Sequence, residues 1–247
     1  METKDYITLA LAGVAFVFSI TSFILTFRQR TVEDQRNTRK ALTDVIAELS
    51  QVNIAFTQLD VDYPNNSMER RVVSFRRIYN LQRRYLANHG EFLADQIPEL
   101  TTDIDCISLA GAFDSAGDYA KSQKFYELAV QKSPTNVLRM QNLRGFARFW
   151  FNQGNAALGR KTYEQALQLQ LPQTDTVRQM VADTYGLWAT IEEDHNFAKE
   201  AERLRELGRD AAKNIGNPRM RANVLEIIGR PPARSFGGQD STRTTPQ

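Results

Sequence analysis

The chain has 247 residues, with 31 lysines and arginines against 29 aspartates and glutamates, and a mean hydropathy of −0.45. This length fits one domain with an appendage or two small domains, and the formal charge of +2 argues against a nucleic-acid partner. One cysteine and two histidines are too few for an internal disulfide framework or an ordinary structural zinc site.

The N-terminal segment contains 22 consecutive uncharged residues, at positions 6–27. A helix of that length spans about 33 Å, enough to cross the hydrocarbon core of a bilayer. A cleaved signal peptide is the alternative, but its apolar core is usually about 7–15 residues long, and here Arg28 and Arg30 follow instead of a small-residue cleavage site. Residues 1–27 are therefore predicted to form an N-terminal segment with a single transmembrane helix.

The basic residues around this segment predict its orientation, because positive charge favours the cytoplasmic side. Only Lys4 precedes the segment, whereas five basic residues follow it closely: Arg28, Arg30, Arg36, Arg39 and Lys40. The sequence thus predicts a single-pass membrane protein whose N-terminus is outside and whose C-terminal domain is cytoplasmic.

Residues 28–62 are predicted to form a helical juxtamembrane linker. Its apolar residues are spaced 3, 4, 3, 4 and 3 apart, at Leu42, Val45, Leu49, Val52, Phe56 and Leu59. This short heptad seam fits packing on the chain's own domain, which we favour, or pairing of two copies as a structural oligomer. A homo-oligomer is thus possible but not favoured. Pro64, Asn65 and Asn66 favour a turn and place a boundary near residue 62.

The next predicted helix covers residues 67–89 and stops at Gly90. A helical wheel places Phe75, Ile78, Tyr79, Tyr85 and Leu86 on one side. The other side carries arginines, at Arg70, Arg76, Arg77, Arg83 and Arg84. This face could contact anionic lipid headgroups or an acidic partner, or it could be a solvated face that pairs with the acidic segment 91–135.

Two consecutive segments repeat one pattern of small and bulky residues around a glycine turn. The first places Leu109, Ala110 and Phe113 before Gly117-Asp118-Tyr119, followed by Tyr126, Ala129 and Pro134. The second places Leu143, Phe146, Ala147 and Trp150 before Gly154, followed by Gly159, Tyr163, Ala166 and Pro172. A third, weaker unit over 174–212 has Tyr185 and Gly186, a loosened turn at Asp194-His195-Asn196, then Phe197, Ala201 and Leu204. Stacked repeats bury a continuous core that one repeat alone cannot.

This pattern resembles the tetratricopeptide repeat. The resemblance implies an all-α fold in which residues 63–229 form a helical-hairpin, α-solenoid domain after the transmembrane helix. Asn217-Pro218 predicts the start of a short closing helix, and residues 230–247 are predicted to be a disordered tail.

The resemblance also implies a protein-binding scaffold with a concave groove. The family's groove positions fall on Gln141, Arg144, Arg148, Phe151 and Asn152. Arg144 and Arg148 lie four residues apart and could bind two carboxylates, while Phe151 could receive an apolar side chain. We therefore expect a protein partner with an acidic or C-terminal peptide segment. The alternative is that these arginines are structural or pair within the chain.

The sequence shows no pattern typical of an active site. It lacks a phosphate-binding glycine loop, a zinc-protease motif and a nucleophile elbow. Glu192, Glu193, Asp194 and His195 are consecutive, so their side chains point in different directions and favour a solvated turn over a metal site. Cys106 occupies a core position of the first repeat. We expect no enzyme activity, no cofactor and no metal.

Overall fold

The computed structural model describes the backbone of residues 3–63 and 70–229, and the side chains of residues 29, 31–59, 61–63 and 72–229. Within these ranges all regular structure is helical, as expected from the sequence. The helices are α1 (Thr3–Asp62), α2 (Arg70–Gln96), α3 (Asp103–Ser115), α4 (Tyr119–Lys132), α5 (Asn136–Asn152), α6 (Ala156–Leu167), α7 (Asp175–Asp194), α8 (Ala198–Lys213) and α9 (Pro218–Gly229).

The prediction of a transmembrane helix is not supported by the structure. Among the described residues, no helix has both the length and the apolar composition needed to cross a membrane. Each of α2 to α8 carries charged residues along its length, because such helices bury one stripe and leave the opposite side in water. The single-pass topology with a cytoplasmic body is therefore not supported. The backbone of residues 6–27 belongs to α1, and the side chains on which the prediction depended lie outside the described residues.

The helices form four successive hairpins, α1–α2, α3–α4, α5–α6 and α7–α8. The first helix of each hairpin also packs on the first helix of the next, and α9 covers both helices of the last hairpin. Asp175 helps to attach α9, since its carboxylate accepts hydrogen bonds from the backbone N–H groups of Gly216 and Asn217 at 2.9 and 2.8 Å. The Asn217 side chain caps α9 by accepting from the N–H groups of Arg219 and Met220.

The heptad seam of α1 is part of the core. Leu42, Val45, Leu49 and Val52 are all at most 6% exposed and pack in one cluster with residues of α2, α3 and α4. The structure therefore shows the seam packed on the chain's own helices, so these four residues are not available for pairing with a second copy.

Helix α2 continues beyond its predicted end at Gly90. A Cβ at Gly90 would lie 2.5 Å from Cδ2 of Leu109, so the glycine allows α3 to approach closely instead of ending the helix. The predicted turn at residues 64–66 and the predicted tail at 230–247 lie outside the part of the chain that the structure describes.

The last three hairpins share one turn geometry. Gly117, Gly154 and Asn196 have φ values of 77°, 75° and 67°, in the left-handed region that glycine adopts freely and asparagine tolerates. In each turn the next residue donates its backbone N–H to the carbonyl five residues earlier, at 2.8–2.9 Å: Asp118 to Phe113, Asn155 to Trp150 and Phe197 to Glu192. The expected loosened turn at 194–196 is wrong, because Asn196 reproduces the glycine geometry.

A candidate ligand groove between helices α5 and α7

Four of the five predicted groove residues line one open groove of about 530 Å³. Gln141, Arg144, Arg148 and Asn152 lie three or four residues apart on α5, so they share one side of the helix. Phe151 is not among them. It is fully buried, with its ring 5.5 Å from that of His195 and 6.4 Å from that of Tyr163.

The opposite wall of the groove comes from α7, whose residues were not predicted to line it. It presents Leu187, Thr190, Ile191 and Asp194, and Tyr163 of α6 also lines the groove. The shared turn geometry could have identified this wall, because Gly154 and Asn196 lie 42 residues apart. Shifting the four groove-lining α5 positions by that distance gives residues that line this groove or the pocket beside it: Asp183, Gly186, Thr190 and Asp194.

A smaller pocket of about 280 Å³ adjoins the groove and shares Arg144, Leu187 and Thr190 with it. Its other lining residues are Asp183, Gly186, Arg205, Ile227 and Ile228. This pocket thus has one polar side and one apolar side, and helix α9 forms part of its wall.

The arginines of the groove are available to a ligand. Neither Arg144 nor Arg148 forms an ion pair or a side-chain hydrogen bond with the described residues. Burial lowers the pKa of Arg144, partly offset by Tyr163 and Asp183, yet an arginine remains protonated at neutral pH. Arg148 is exposed and is close enough to Asp114 of α3 to lower the pKa of that carboxyl, although burial raises this pKa overall.

Two carboxylates moderate the positive charge of the groove. Asp194 is exposed on its rim, and Asp183 is half-buried beside Arg144. Burial raises the pKa of Asp183, and the charge of Arg144 and a hydrogen bond with the Gln179 side chain offset this only in part. The Oδ1 atom of Asp183 is buried and has no hydrogen-bond partner within the described chain. A buried acceptor without a partner costs folding free energy.

An ion pair with a buried carboxylate joins α6 to α7 next to the groove. Glu192 is fully buried, and Arg160 of α6 donates to both of its carboxylate oxygens at 2.8 and 2.7 Å. The indole N–H of Trp188 donates to the same carboxylate at 2.8 Å, and the Trp188 ring stacks on Tyr163 at 5.1 Å. These contacts hold α6 against α7 below the open groove.

The acidic sequence around His195 separates into unrelated contacts. Glu192 binds Arg160, Glu193 binds Arg205, and Nδ1 of His195 contacts the carbonyl of Ile191 at 2.9 Å. Within the described residues, no three histidine, cysteine or acidic side chains are grouped so that they could hold a metal ion. Cys106 is fully buried, and burial raises the pKa of its thiol to about 11.

The arginines predicted to form one face of α2 do not share one environment. Arg83 is only 7% exposed and lies over the ring of Phe56, with its Cζ 3.9 Å from the ring centre. Arg76 donates to the carbonyl of Tyr63 at 2.9 Å. Arg77 and Arg84 are exposed, and the side chain of Arg70 lies outside the described residues.

The apolar side predicted for α2 is also divided. Leu86 is buried and Tyr79 half-buried, whereas Phe75, Ile78 and Tyr85 are between 48% and 71% exposed. The wheel was centred on the wrong side, because α1 and α3 cover a stripe that includes Ala87, Gly90 and Leu93. The use of this helix to contact anionic lipid or an acidic partner stays a prediction.

Comparison with family models, curated proteins and solved structures finds no match to this chain. The resemblance to tetratricopeptide repeats therefore stays a prediction based on the residues and turns described above.

Proposed function

We propose that this protein is a scaffold of stacked, tetratricopeptide-like hairpins that binds an acidic segment of a partner protein in the groove between α5 and α7. The observation that carries the proposal is the pair Arg144 and Arg148, which are on successive turns of α5 and have no ion-pair partner among the described residues. Each of these guanidinium groups faces an open groove and can donate two parallel hydrogen bonds to one carboxylate.

The arrangement of the hairpins supports this proposal. The three turns at Gly117, Gly154 and Asn196 give α3, α5 and α7 equivalent positions in the stack, so their exposed sides adjoin. The walls of the groove are helices that are already packed in the chain by itself, and a preformed site lowers the entropy cost of binding.

The test uses the full chain and labelled twelve-residue peptides of acidic, neutral and basic composition, measured by fluorescence anisotropy. We expect the acidic peptides to bind best. The double variant Arg144→Glu, Arg148→Glu should weaken their binding more than tenfold, since a hydrogen bond to a charged group contributes about 1.5–3 kcal/mol.

Arg139→Glu is the matched control, because Arg139 is on the same helix and belongs to neither set of lining residues. It changes the net charge of the chain without changing the groove. Equal binding of acidic and basic peptides, or unchanged binding by the folded double variant, would contradict the proposal.

A further inference from the structure

The outer side of helix α2 carries an exposed apolar stripe. Ile78, Leu81, Tyr85 and Phe92 follow one another at intervals of three, four and seven residues, so they share one side of the helix. They are between 55% and 71% exposed. The opposite side of α2, which includes Leu86, packs on α1 and α3. Helix α2 is thus apolar on two opposite sides, and the structure buries only one of them.

The stack treats its two ends differently. After Tyr119, the exposed residues of α4, the corresponding helix of the next hairpin, are Ala120, Lys124, Glu127 and Gln131. At the far end, α9 covers the last hairpin with Met220, Val224 and Ile228. One short amphipathic helix therefore closes the last hairpin, whereas no helix of the described residues covers the stripe on the first.

Two arginines border the stripe along one edge. Arg77 and Arg84 directly precede Ile78 and Tyr85, are seven residues apart and are exposed. Neither side chain forms an ion pair or a hydrogen bond with the described residues. Where two helices pair, charged residues beside the apolar stripe determine the choice of partner, so this edge selects acidic residues.

Other charges along α2 distinguish a partner helix from a membrane or a second copy. Asp95, whose side chain is 63% exposed, is one helical turn from Phe92 and would lie close to the headgroups if the stripe rested on an anionic bilayer. A second copy would present Arg77, Arg84 and Glu91 along its own edge, and Glu91 is already paired with two lysines of α4. The complementary acidic edge therefore comes from a different protein.

We propose that the outer side of α2 binds one amphipathic helix of a partner protein. Apolar residues of that helix pack along the stripe from Ile78 to Phe92, and acidic residues seven apart pair with Arg77 and Arg84. The bound helix covers the first hairpin as α9 covers the last. This site shares no residue with the groove between α5 and α7, so it does not depend on the function proposed for that groove.

The experiment measures binding of the full chain to three labelled helical peptides of about 21 residues by fluorescence anisotropy. Two peptides carry leucine at alternating intervals of three and four residues, with either glutamate or lysine at the flanking positions. The third is a scrambled form of the glutamate peptide. We expect the glutamate peptide to bind roughly tenfold more tightly than the lysine peptide, because attractive contacts to two arginines replace repulsive ones, and the scrambled peptide to bind most weakly.

Reversing the charge of the edge tests the pairing directly. The double variant Arg77→Glu, Arg84→Glu should invert the preference, so that the lysine peptide binds more tightly. The matched control is Arg139→Glu, Arg219→Glu, which makes the same change in net charge on α5 and α9 and should keep the original preference. An unchanged preference in the edge variant would overturn the proposal.

A second pair of substitutions tests the apolar stripe. Leu81→Asn, Tyr85→Asn should weaken binding of the glutamate peptide more than tenfold while leaving the thermal midpoint nearly unchanged, because both side chains are exposed. Ile78→Asn replaces this variant if its unfolding curve shows that it is not folded. Full binding by the folded variant would contradict a contact with the stripe.

The remaining measurements separate this site from the groove and from other occupants. The Arg144→Glu, Arg148→Glu variant should bind the glutamate peptide as the unmodified chain does, and loss of binding there would assign the peptide to the groove and overturn the proposal. Flotation with vesicles of phosphatidylcholine and phosphatidylserine tests lipid, and sedimentation of the chain alone tests a second copy. Vesicle binding or dimer formation that Leu81→Asn, Tyr85→Asn abolishes would also overturn it.

Discussion

Helix α5 packs against its two neighbouring hairpins in opposite ways. On the side of α4, Tyr126 stacks on Phe146 at 5.4 Å and contacts Phe149 at 5.3 Å, so bulky aromatic rings close the junction. On the side of α7, Arg144 and Arg148 leave a groove of about 530 Å³, and contact is restricted to a lower layer that includes Phe151.

The difference shows how one stacked architecture can be closed at one junction and open at the next. Aromatic side chains fill the space between α4 and α5, whereas the side chains that α5 turns toward the groove are polar, at Gln141, Arg144, Arg148 and Asn152. The Arg160–Glu192 pair and the Tyr163–Trp188 stack provide the contact beneath the open junction. The contacts that hold α5, α6 and α7 together thus lie in a different layer from the open groove.

The largest expected effect comes from opening the closed junction. Phe149→Ala should lower the free energy of unfolding by about 3–5 kcal/mol, because this buried ring packs on three aromatic neighbours. Urea unfolding followed by circular dichroism measures the change. A loss below 1 kcal/mol would show that the aromatic cluster does not hold α4 to α5.

Removing the support beneath the groove is the next test. Arg160→Ala should cost about 3 kcal/mol, since it leaves the fully buried Glu192 carboxylate without its cation. This is the low end for a buried pair, because Arg160 itself is 35% exposed.

The double variant Arg160→Met, Glu192→Leu should recover part of that loss, because it leaves no buried charge, although the indole N–H of Trp188 loses its acceptor. The same urea experiment measures both proteins. Equal destabilisation by the single and the double variant would indicate that Glu192 is held by Trp188 or by packing alone.

Substitutions in the left-handed turns should have smaller effects on the free energy of unfolding. Gly154→Ala should cost about 1–2 kcal/mol through the backbone alone, since φ is 75° and an added Cβ meets no atom within 4 Å. Asn196→Gly should change stability by less than about 0.5 kcal/mol, because glycine adopts the same φ without strain. Thermal unfolding distinguishes the two. A destabilised Asn196→Gly would mean that the asparagine side chain has a role beyond the turn.

The smallest expected effect is a gain of stability within the open groove. Asp183→Asn should stabilise the protein at pH 7 by up to about 1 kcal/mol, since it removes the cost of ionising a half-buried group whose pKa is raised by burial, a cost that solvent and Arg144 reduce.

The sign of the pH dependence follows from that raised pKa. The folded protein retains this proton at a higher pH than the unfolded chain, so the penalty is absent below the unfolded pKa of about 3.9 and grows as pH rises through the folded value. The advantage of Asp183→Asn should therefore disappear near pH 3.5. A difference in melting temperature that is independent of pH would contradict this account.

Several features of the fold could be predicted from local sequence. The left-handed turns at Gly117 and Gly154 follow from the freedom of glycine, and an interval of four residues is sufficient to place Arg144 and Arg148 on one side of a helix. The apolar seam of α1 also follows from its spacing, because a stripe at intervals of three and four must be buried somewhere.

Only the tertiary structure shows which neighbouring helix each side of a helix contacts. Arg83 is buried over Phe56 while Arg84 beside it is exposed. Phe151 is buried in the core with Ala147, although its neighbour Asn152 lines the groove. The second wall of the groove, including Asp183 and Leu187, comes from a different helix. Helical periodicity determines which residues share a side, but burial depends on neighbours that are distant in the chain, so only their packing decided which sides became core and which became a groove.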